Sequence, residues 1–287
     1  MVYYAPKGVS LALAFAGLMV ICSSGCNTGP GPSAKPEPIG ESQPVVGKVW
    51  TVPDLGIVLV PISPGAFSMG LAEGDGQEHA GSLNHQVVLT HPFWMARTEL
   101  TRRESERIQG VDASDPSDAE LPVTSITWQE ASNLCVALTK RERLAGRVPR
   151  GYEYRLPTEA EWEYCCRAGT EGAYSFGEDA DQLREYGWFM DNSRKQVHPV
   201  ASKRPNAWGL YDMHGNAAEW CLDWIGPYPT GSAVDPVGVE SGQLRVLRGG
   251  SALLKPYECG SAWRSGCFPA NKSKFWGVRI VLGMHYW

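Results

Sequence analysis

The side chains best suited to chemistry in this 287-residue sequence are its cysteines, of which there are 8. Thiolates bind soft metal ions, attack electrophiles or oxidise to disulfides. Cys22 and Cys26 lie near the N-terminus, and the remainder are Cys135, Cys165, Cys166, Cys221, Cys259 and Cys267. These later cysteines could form a disulfide framework or a reactive site, and the sequence alone does not fix their pairing.

Other common chemistries have no support in the sequence. The 6 histidines form no His-Glu-x-x-His pair and no close ligand cluster, which argues against a zinc hydrolase. Neither a glycine-rich phosphate loop nor a nucleophile elbow is present. The formal net charge is -5 and the basic residues are scattered, so nucleic acid is not expected as a partner.

The composition indicates one large folded domain with little regular structure. At 43% hydrophobic and 20% charged residues, the chain can bury a sizeable core. The 32 glycines, 21 prolines and 11 tryptophans suit a loop-rich fold with aromatic anchors better than a helical bundle. We therefore expect an irregular α+β domain.

The N-terminus has the pattern of an export signal. Lys7 gives a positive start, and Leu11 to Ile21 is an apolar run too short to span a bilayer comfortably. Small residues then lead to Cys26, as at the processing site of bacterial lipoproteins. This predicts a signal peptide over residues 1–25 and a lipid on Cys26. Because Ser23 departs from that pattern, ordinary cleavage followed by secretion is the alternative.

A change in composition separates the export signal from the folded part. Residues 26–53 are rich in proline and glycine and have no hydrophobic periodicity, as expected of a tether. Residues 54–287 are then the folded domain. The predicted location is the bacterial cell envelope, with the protein anchored to a membrane as a lipoprotein, or secreted if Cys26 carries no lipid.

Short strands and a few capped helices must position the cysteines. Apolar runs predict strands at Ile57 to Pro61, Gly65 to Gly70 and Gln86 to Thr90. Apolar residues at helical spacing predict a helix from Thr127 to Leu138, with Thr127 and Glu130 as a capping box. A second capping box at Thr158 opens a helix that runs through about Ala168.

The segment from Tyr154 to Tyr164 resembles a signature of the formylglycine-generating enzyme family, also called sulfatase-modifying factors. Further segments resemble that family in its own order: Phe67 to Gly70, Arg97 to Thr101, Pro122 to Trp128, Asn206 to Trp220, Arg245 to Ser251 and Gly277 to Arg279. The resemblance extends from Ile57 to the end of the chain. It implies the family's variant of the C-type lectin fold, an α+β fold with bound calcium.

The resemblance also implies a reaction. Enzymes of this family oxidise a cysteine of an unfolded sulfatase to formylglycine, using oxygen and a copper ion held by two cysteines that follow a Gly-Gly-Ser motif. Copper(I) is soft and prefers thiolates, which explains the pair. By resemblance, Cys259 takes the position of the second copper cysteine, and Ser251 that of the serine lining the oxygen pocket.

The sequence departs from the family at the other copper position, where Leu254 stands. Leucine has no lone pair to offer a metal. Cys259 is then a remaining catalytic thiolate or a structural cysteine, and export favours a disulfide with Cys166 or Cys221. A copper site completed by Cys267 is a further alternative. Ser251 could equally be a turn residue that bonds its own backbone.

The resemblance places a calcium site at Asn216 and Glu219, whose amide and carboxylate oxygens suit a hard cation. Three functions remain open: a copper- and oxygen-dependent oxidase acting on an unfolded sulfatase peptide, a non-catalytic peptide-binding module, and a module that binds a surface glycan. The loss of a thiolate at Leu254 argues against the first. A monomer is expected.

Overall fold

The computed structural model describes residues 43–71, 84–111 and 115–286. The predicted signal peptide and Cys26 lie outside the described residues. The strands are β1 (Trp50–Thr51), β2 (Val58–Ile62), β3 (Gly65–Met69), β4 (His85–Leu89), β5 (Phe93–Ala96), β6 (Tyr152–Arg155), β7 (Ala218–Trp224), β8 (Ala233–Val234), β9 (Arg245–Arg248), β10 (Arg264–Cys267), β11 (Trp276–Gly277) and β12 (Val281–Met284). The α-helices are α1 (Arg102–Gln109), α2 (Trp128–Leu144), α3 (Glu159–Arg167) and α4 (Leu183–Tyr186).

The strands form three small sheets. The first has the order β1-β2-β5-β12-β6 and is antiparallel throughout, with Val281 paired to both Met95 and Arg155. The second has the order β10-β9-β7-β11, and the third β3-β4-β8. Because β12 lies between β5 and β6, the end of the chain completes the first sheet. No helix among the described residues is both long and apolar enough to cross a bilayer.

The predicted elements are present with shifted ends. Strands β2, β3 and β4 each lie within a residue or so of the predicted positions, and α3 begins after Thr158 as expected. Helix α2 also has its predicted capping box but runs to Leu144, not Leu138. Its last turns carry lysine and arginine, which have good helix propensity and weak apolar periodicity. Helix α1, which was not predicted, has the same kind of box at Thr101 and Glu104.

Helix α3 is almost entirely buried in the domain, and its carboxylates pair with arginines, one of them in α3 itself and the others from elsewhere in the chain. The pairs are Glu159 with Arg264, Glu161 with Arg155, and Glu163 with both Arg167 and Arg248. These groups are all less than 10% exposed, so each charge needs its partner. Trp162 is fully buried beside them. Through Arg248 and Arg264, these ion pairs connect helix α3 to strands β9 and β10 of the second sheet.

Candidate functional site

Cys259 ends a short 3-10 helix, Pro256–Cys259, that follows β9. The turn before this helix contains Gly249 and Gly250, with φ of 88° and 71°. A Cβ at Gly250 would come within 2.6 Å of Cys259 Sγ, so the backbone here must be glycine for the thiol to pack against it. The glycine pair therefore places Cys259 beneath the chain at Ser251.

The surroundings of Cys259 are apolar. The thiol is fully buried and packs with Tyr174, Leu183 and Phe189, while Leu254 closes the cluster from its edge. Burial raises the pKa of Cys259 to about 12. At neutral pH the group is a thiol, which is a weak nucleophile and a poor metal ligand.

Ser251 is adjacent, and its polar groups are used within the turn. Its hydroxyl accepts from the Leu253 N–H at 3.3 Å, and its carbonyl accepts from the Leu254 N–H at 3.0 Å. The Cys259 thiol points at that same carbonyl, 3.9 Å away. The structure thus brings Ser251 and Cys259 together, with Ser251 acting as a turn residue.

The predicted disulfides of Cys259 are absent, because all six cysteines from Cys135 to Cys267 are free among the described residues. Cys166 and Cys221 belong to a separate buried cluster. Cys267 lies on β10, packed against yet another cluster. Packing, not oxidation, holds Cys259 in place, so the prediction of a disulfide to Cys166 or Cys221 was wrong.

Copper does not fit this site. A two-thiolate site needs a second soft donor at a defined position, and the residue that the resemblance places there is Leu254. Within the described parts of the chain, no group of three or more His, Cys, Asp or Glu residues is arranged to hold a metal ion.

His214 is a site residue that the sequence did not reveal. Its Nδ1 donates to the Cys259 carbonyl at 2.9 Å, which makes Nε2 the acceptor for the Ser175 N–H at 3.1 Å. Burial lowers the pKa of His214 to about 4, so the ring is neutral. His214 thereby links the loop at Ser175 to the turn at Cys259, which are far apart in sequence. This role is visible only from the contacts in the folded structure.

A cavity of about 520 Å³ opens beside the cluster. Tyr174 separates the two, since it contacts Cys259 and also lines the cavity. Tyr257 and Trp263 form an aromatic wall, edge to face with ring centroids 5.5 Å apart. The exposed carboxylates of Glu171 and Glu178 form part of the rim.

The residues predicted to bind calcium are occupied by protein groups. Glu219 accepts from Arg279 at 2.7 Å and from the Trp162 indole at 2.6 Å. Asn216 Oδ1 accepts from the His198 N–H at 2.8 Å, and its amide donates to Glu99 at 3.2 Å. Both ends of the Asn216 amide thus bond protein groups in this structure, and its φ of 58° makes it a turn residue.

The same cluster holds a buried, partly bonded carboxyl group. Asp212 is 1% exposed; its Oδ2 accepts from the Ala201 N–H at 2.7 Å, its Oδ1 accepts from no N–H group, and the Glu99 carboxyl lies within hydrogen-bonding reach of the Asp212 side chain. Burial, together with the charge of Glu219, raises the pKa of Asp212 to about 6. Burial and the neighbouring Asp212 also raise the pKa of Glu99. Three carboxyl groups thus lie near the Arg279 guanidinium, and the raised pKa values of Glu99 and Asp212 mean that the cluster favours retained protons on these two groups when no further cation is bound.

Small curled sheets, few helices and a Gly-Gly-Ser turn over a buried cysteine define a C-type-lectin-like domain of the sulfatase-modifying type. The chain belongs to this family: residues 55–284 match the model of the Sulfatase-modifying factor enzyme 1-like domain. The predicted family and its loop-rich α+β fold are therefore confirmed.

Curated relatives and solved structures agree with this family. The chain is 38% identical over 210 residues to the formylglycine-generating enzyme of Streptomyces coelicolor, covering 66% of this chain and 60% of that one. It is 31% identical over 259 residues to the serine/threonine-protein kinase pkn1 of Chlamydia caviae, covering 79% and 38%. The chain thus spans less than two thirds of either relative.

Two solved structures share the fold. Treponema denticola variable protein 1 superimposes with a TM-score of 0.72 at 26% identity, covering 82% of this chain and 98% of that one. PvdO from Pseudomonas aeruginosa gives 0.71 at 24% identity, covering 84% and 100%, and this likeness concerns the fold alone.

Proposed function

We propose that this chain is a non-catalytic, peptide-binding member of the sulfatase-modifying factor family. The observation that carries the proposal is the pairing of Leu254 with a buried, protonated Cys259 at the position of the family's copper site. A pocket with one thiol of raised pKa has neither the two thiolates nor the open coordination positions that copper chemistry needs.

The cavity beside Cys259 supports binding of a peptide. Tyr257 is 42% exposed, and with Trp263 it offers aromatic faces to a ligand at little entropic cost. Glu171 and Glu178 add negative charge at the rim, so a peptide carrying a basic side chain fits best: its cation can pair with a carboxylate or lie over an aromatic ring.

The alternative hypothesis, a copper- and oxygen-dependent cysteine oxidase, is tested by incubating the protein with a Cys-x-Pro-x-Arg peptide, copper, oxygen and a reductant. We expect no aldehyde by mass spectrometry, and we expect copper binding to rise in Leu254→Cys, which restores a second thiolate. Aldehyde formation by the wild type, abolished in Cys259→Ser, would overturn the proposal.

Peptide binding is measured in the same system by following tryptophan fluorescence as the peptide is added. Tyr257→Ala should weaken binding by about tenfold, as for loss of an interface aromatic. The matched control is Phe268→Ala, which also removes an exposed aromatic side chain but lies outside the cavity lining. Equal affinity of the wild type and Tyr257→Ala would place binding elsewhere, with a glycan as the alternative ligand to test.

The calcium proposal moves from Asn216 to Asp212. Asp212 Oδ1 is the buried oxygen that accepts from no N–H group, and Glu219 and Glu99 contribute the surrounding negative charge. The three carboxyl groups are not by themselves arranged to hold a metal ion, so in this proposal backbone carbonyls supply the rest of the ligand set, as is common for calcium. Its role in this proposal is structural, because the cluster joins loops and contains no reactive group.

We place the protein in the cell envelope, anchored through a lipid on Cys26. Support comes from Lys7, the apolar run from Leu11 to Ile21 and the small residues before Cys26. Intact mass of the mature protein tests the proposal: we expect a lipid-modified Cys26 at the N-terminus. An unmodified chain that begins elsewhere would favour secretion.

A further inference from the structure

The C-terminal half of helix α2 presents an exposed face that combines basic and apolar side chains. Leu144 is 82% exposed and Val136 is 64% exposed. Lys140, Arg143 and Arg150 are exposed on the same stretch of chain. We call Val136, Lys140, Arg143 and Leu144, which line one shallow pocket on this side of α2, the basic face; Arg150 follows beyond the end of α2. Such large apolar side chains in water, beside cations, point to a surface that meets something both apolar and anionic.

The basic face has more positive than negative charge. Glu153 lies beside Lys140 and Arg143 in the same shallow pocket, and its contact within ion-pair distance is with His285, at 2.9 Å. The one acid in this part of α2, Glu142, is buried and pairs with Arg141 and Arg147, while Arg141 also reaches Asp54. Among the described residues, Lys140, Arg143 and Arg150 form no ion pair. This concentration of positive charge contrasts with the formal net charge of -5 for the whole chain.

The predicted tether enters the domain at this face. Gln43, the first described residue, donates from Nε2 to the Gly146 carbonyl just beyond α2, at 2.9 Å. Val45 and Val46 follow at 60% and 62% exposure, adding apolar surface near the entry point. Residues 27–42 separate Gln43 from Cys26, and even fully extended they span at most about 60 Å.

We infer that the basic face docks on an anionic phospholipid surface, in an arrangement that rests on the proposed lipid anchor. Lysine and arginine near a membrane are attracted to anionic headgroups, and an exposed leucine can enter the interface beside them. The short tether raises the local concentration of the face at the bilayer, so a weak contact suffices. The domain would then lie against the membrane with α2 facing the lipid.

The test uses the full chain with Cys26→Ser, which removes the lipid anchor, and vesicles of phosphatidylcholine with or without about 30% phosphatidylglycerol. The quantity compared is the ratio of binding to the two vesicle types, because the apolar N-terminal run is common to all variants. We expect a clear preference for the anionic vesicles, lost in high salt.

Two matched double variants then locate the preference. Lys140→Gln with Arg143→Gln should lower the ratio by about 30-fold, the effect of removing two interfacial cations. Lys272→Gln with Lys274→Gln removes the same charge near the first turn of α2, about 20 Å away along the helix, and should change the ratio little. Leu144→Ser should also lower binding to anionic vesicles.

The outcomes separate this inference from the anchor. Suppose that the wild type carries a lipid on Cys26 but the Cys26→Ser chain shows no preference for anionic vesicles. This result would overturn the inference that the basic face docks on anionic lipid, and it would leave the lipid anchor supported. A preference that survives Lys140→Gln with Arg143→Gln would also overturn it. An unmodified N-terminus with a preference lost in that variant would support the face and refute the anchor.

Discussion

At the scale of single residues, the neighbours of Cys259 decide what its thiol can do. Gly250 makes a close approach to Cys259, and Ser251 closes the turn. Leu254 adds apolar surface where a thiolate would add charge, and the resulting desolvation keeps Cys259 protonated. The geometry of the turn is therefore weak evidence for the family's reaction.

The state of Cys259 can be read from its reactivity. With its pKa near 12, its thiolate fraction at pH 8 is smaller than that of an unperturbed thiol by about a thousandfold. We expect iodoacetamide to modify half-buried Cys267 under native conditions and to leave Cys259 unmodified, as read by peptide mapping.

Leu254→Ala serves as the companion variant in this experiment, since opening the apolar cluster should speed labelling of Cys259. If native Cys259 reacts as fast as Cys267, it is an accessible thiolate and the structural interpretation of the site is wrong. Cys267→Ser identifies the background from the remaining cysteines.

The residues that the sequence could not assign are those whose partners lie far along the chain. His214 stands in a recognisable segment, yet its role depends on the carbonyl of Cys259, 45 residues later. Asn216 was assigned to calcium by resemblance to the family, and no sequence signal indicates that its amide bonds His198 and Glu99. The assignment of Leu254 to the other copper position, by contrast, required only the number of residues that separate it from Ser251.

At the scale of elements, local signals in the sequence were enough to predict where α2 and α3 begin, although α1 and α4 were not predicted. The threonine–glutamate capping boxes at Thr127 and Thr158 predict where α2 and α3 begin, because both partners are close in sequence. Strand β7 was missed as an element: all but its last residue are buried, so no polar alternation marks it. Its neighbours β9 and β11 come from later in the chain.

A carboxyl group of β7 with a shifted pKa contacts the first turn of α3. Asp223 of β7 accepts from the Glu159 N–H at 2.8 Å, and burial, with the charge of Glu159, raises its pKa to about 8. Between about pH 4 and pH 8 the folded protein retains a proton that the unfolded chain has lost. The free energy of unfolding should therefore fall as pH rises through this window, and level off above it.

Asp223→Asn keeps the acceptor for Glu159 and has no proton to lose. Relative to the wild type, we expect its free energy of unfolding to rise by about 3–5 kcal/mol from pH 5 to pH 9, measured by urea denaturation. Exposed Asp181→Asn is the control and should run parallel to the wild type. Parallel curves for Asp223→Asn would show that the Asp223 carboxyl is ionised in the folded protein.

At the scale of the whole molecule, Arg279 joins the parts of the domain. Its guanidinium donates to the carbonyls of Ala96 and Tyr211, and it pairs with Glu219 on β7. The first sheet, the second sheet and the loop before Asp212 therefore meet at one buried charge cluster. A ligand that completes this cluster should stabilise the entire domain, because opening it separates the sheets.

The proposed calcium ion is testable through this global effect. A ligand that binds only the folded state, at about 100 times its Kd, adds about 2.7 kcal/mol to the free energy of unfolding. For a domain of this size, that corresponds to a rise in Tm of roughly 5–10 °C. We expect a chelator to lower the Tm by this amount in calorimetry, and excess calcium to restore it.

Asp212→Ala should remove the response of the Tm to calcium, while Asp191→Ala, a change at an exposed carboxylate, should retain it. A wild-type Tm that is the same in chelator and in calcium would leave Arg279 as the sole balancing cation of the cluster, with Asp212 and Glu99 then protonated in the folded protein.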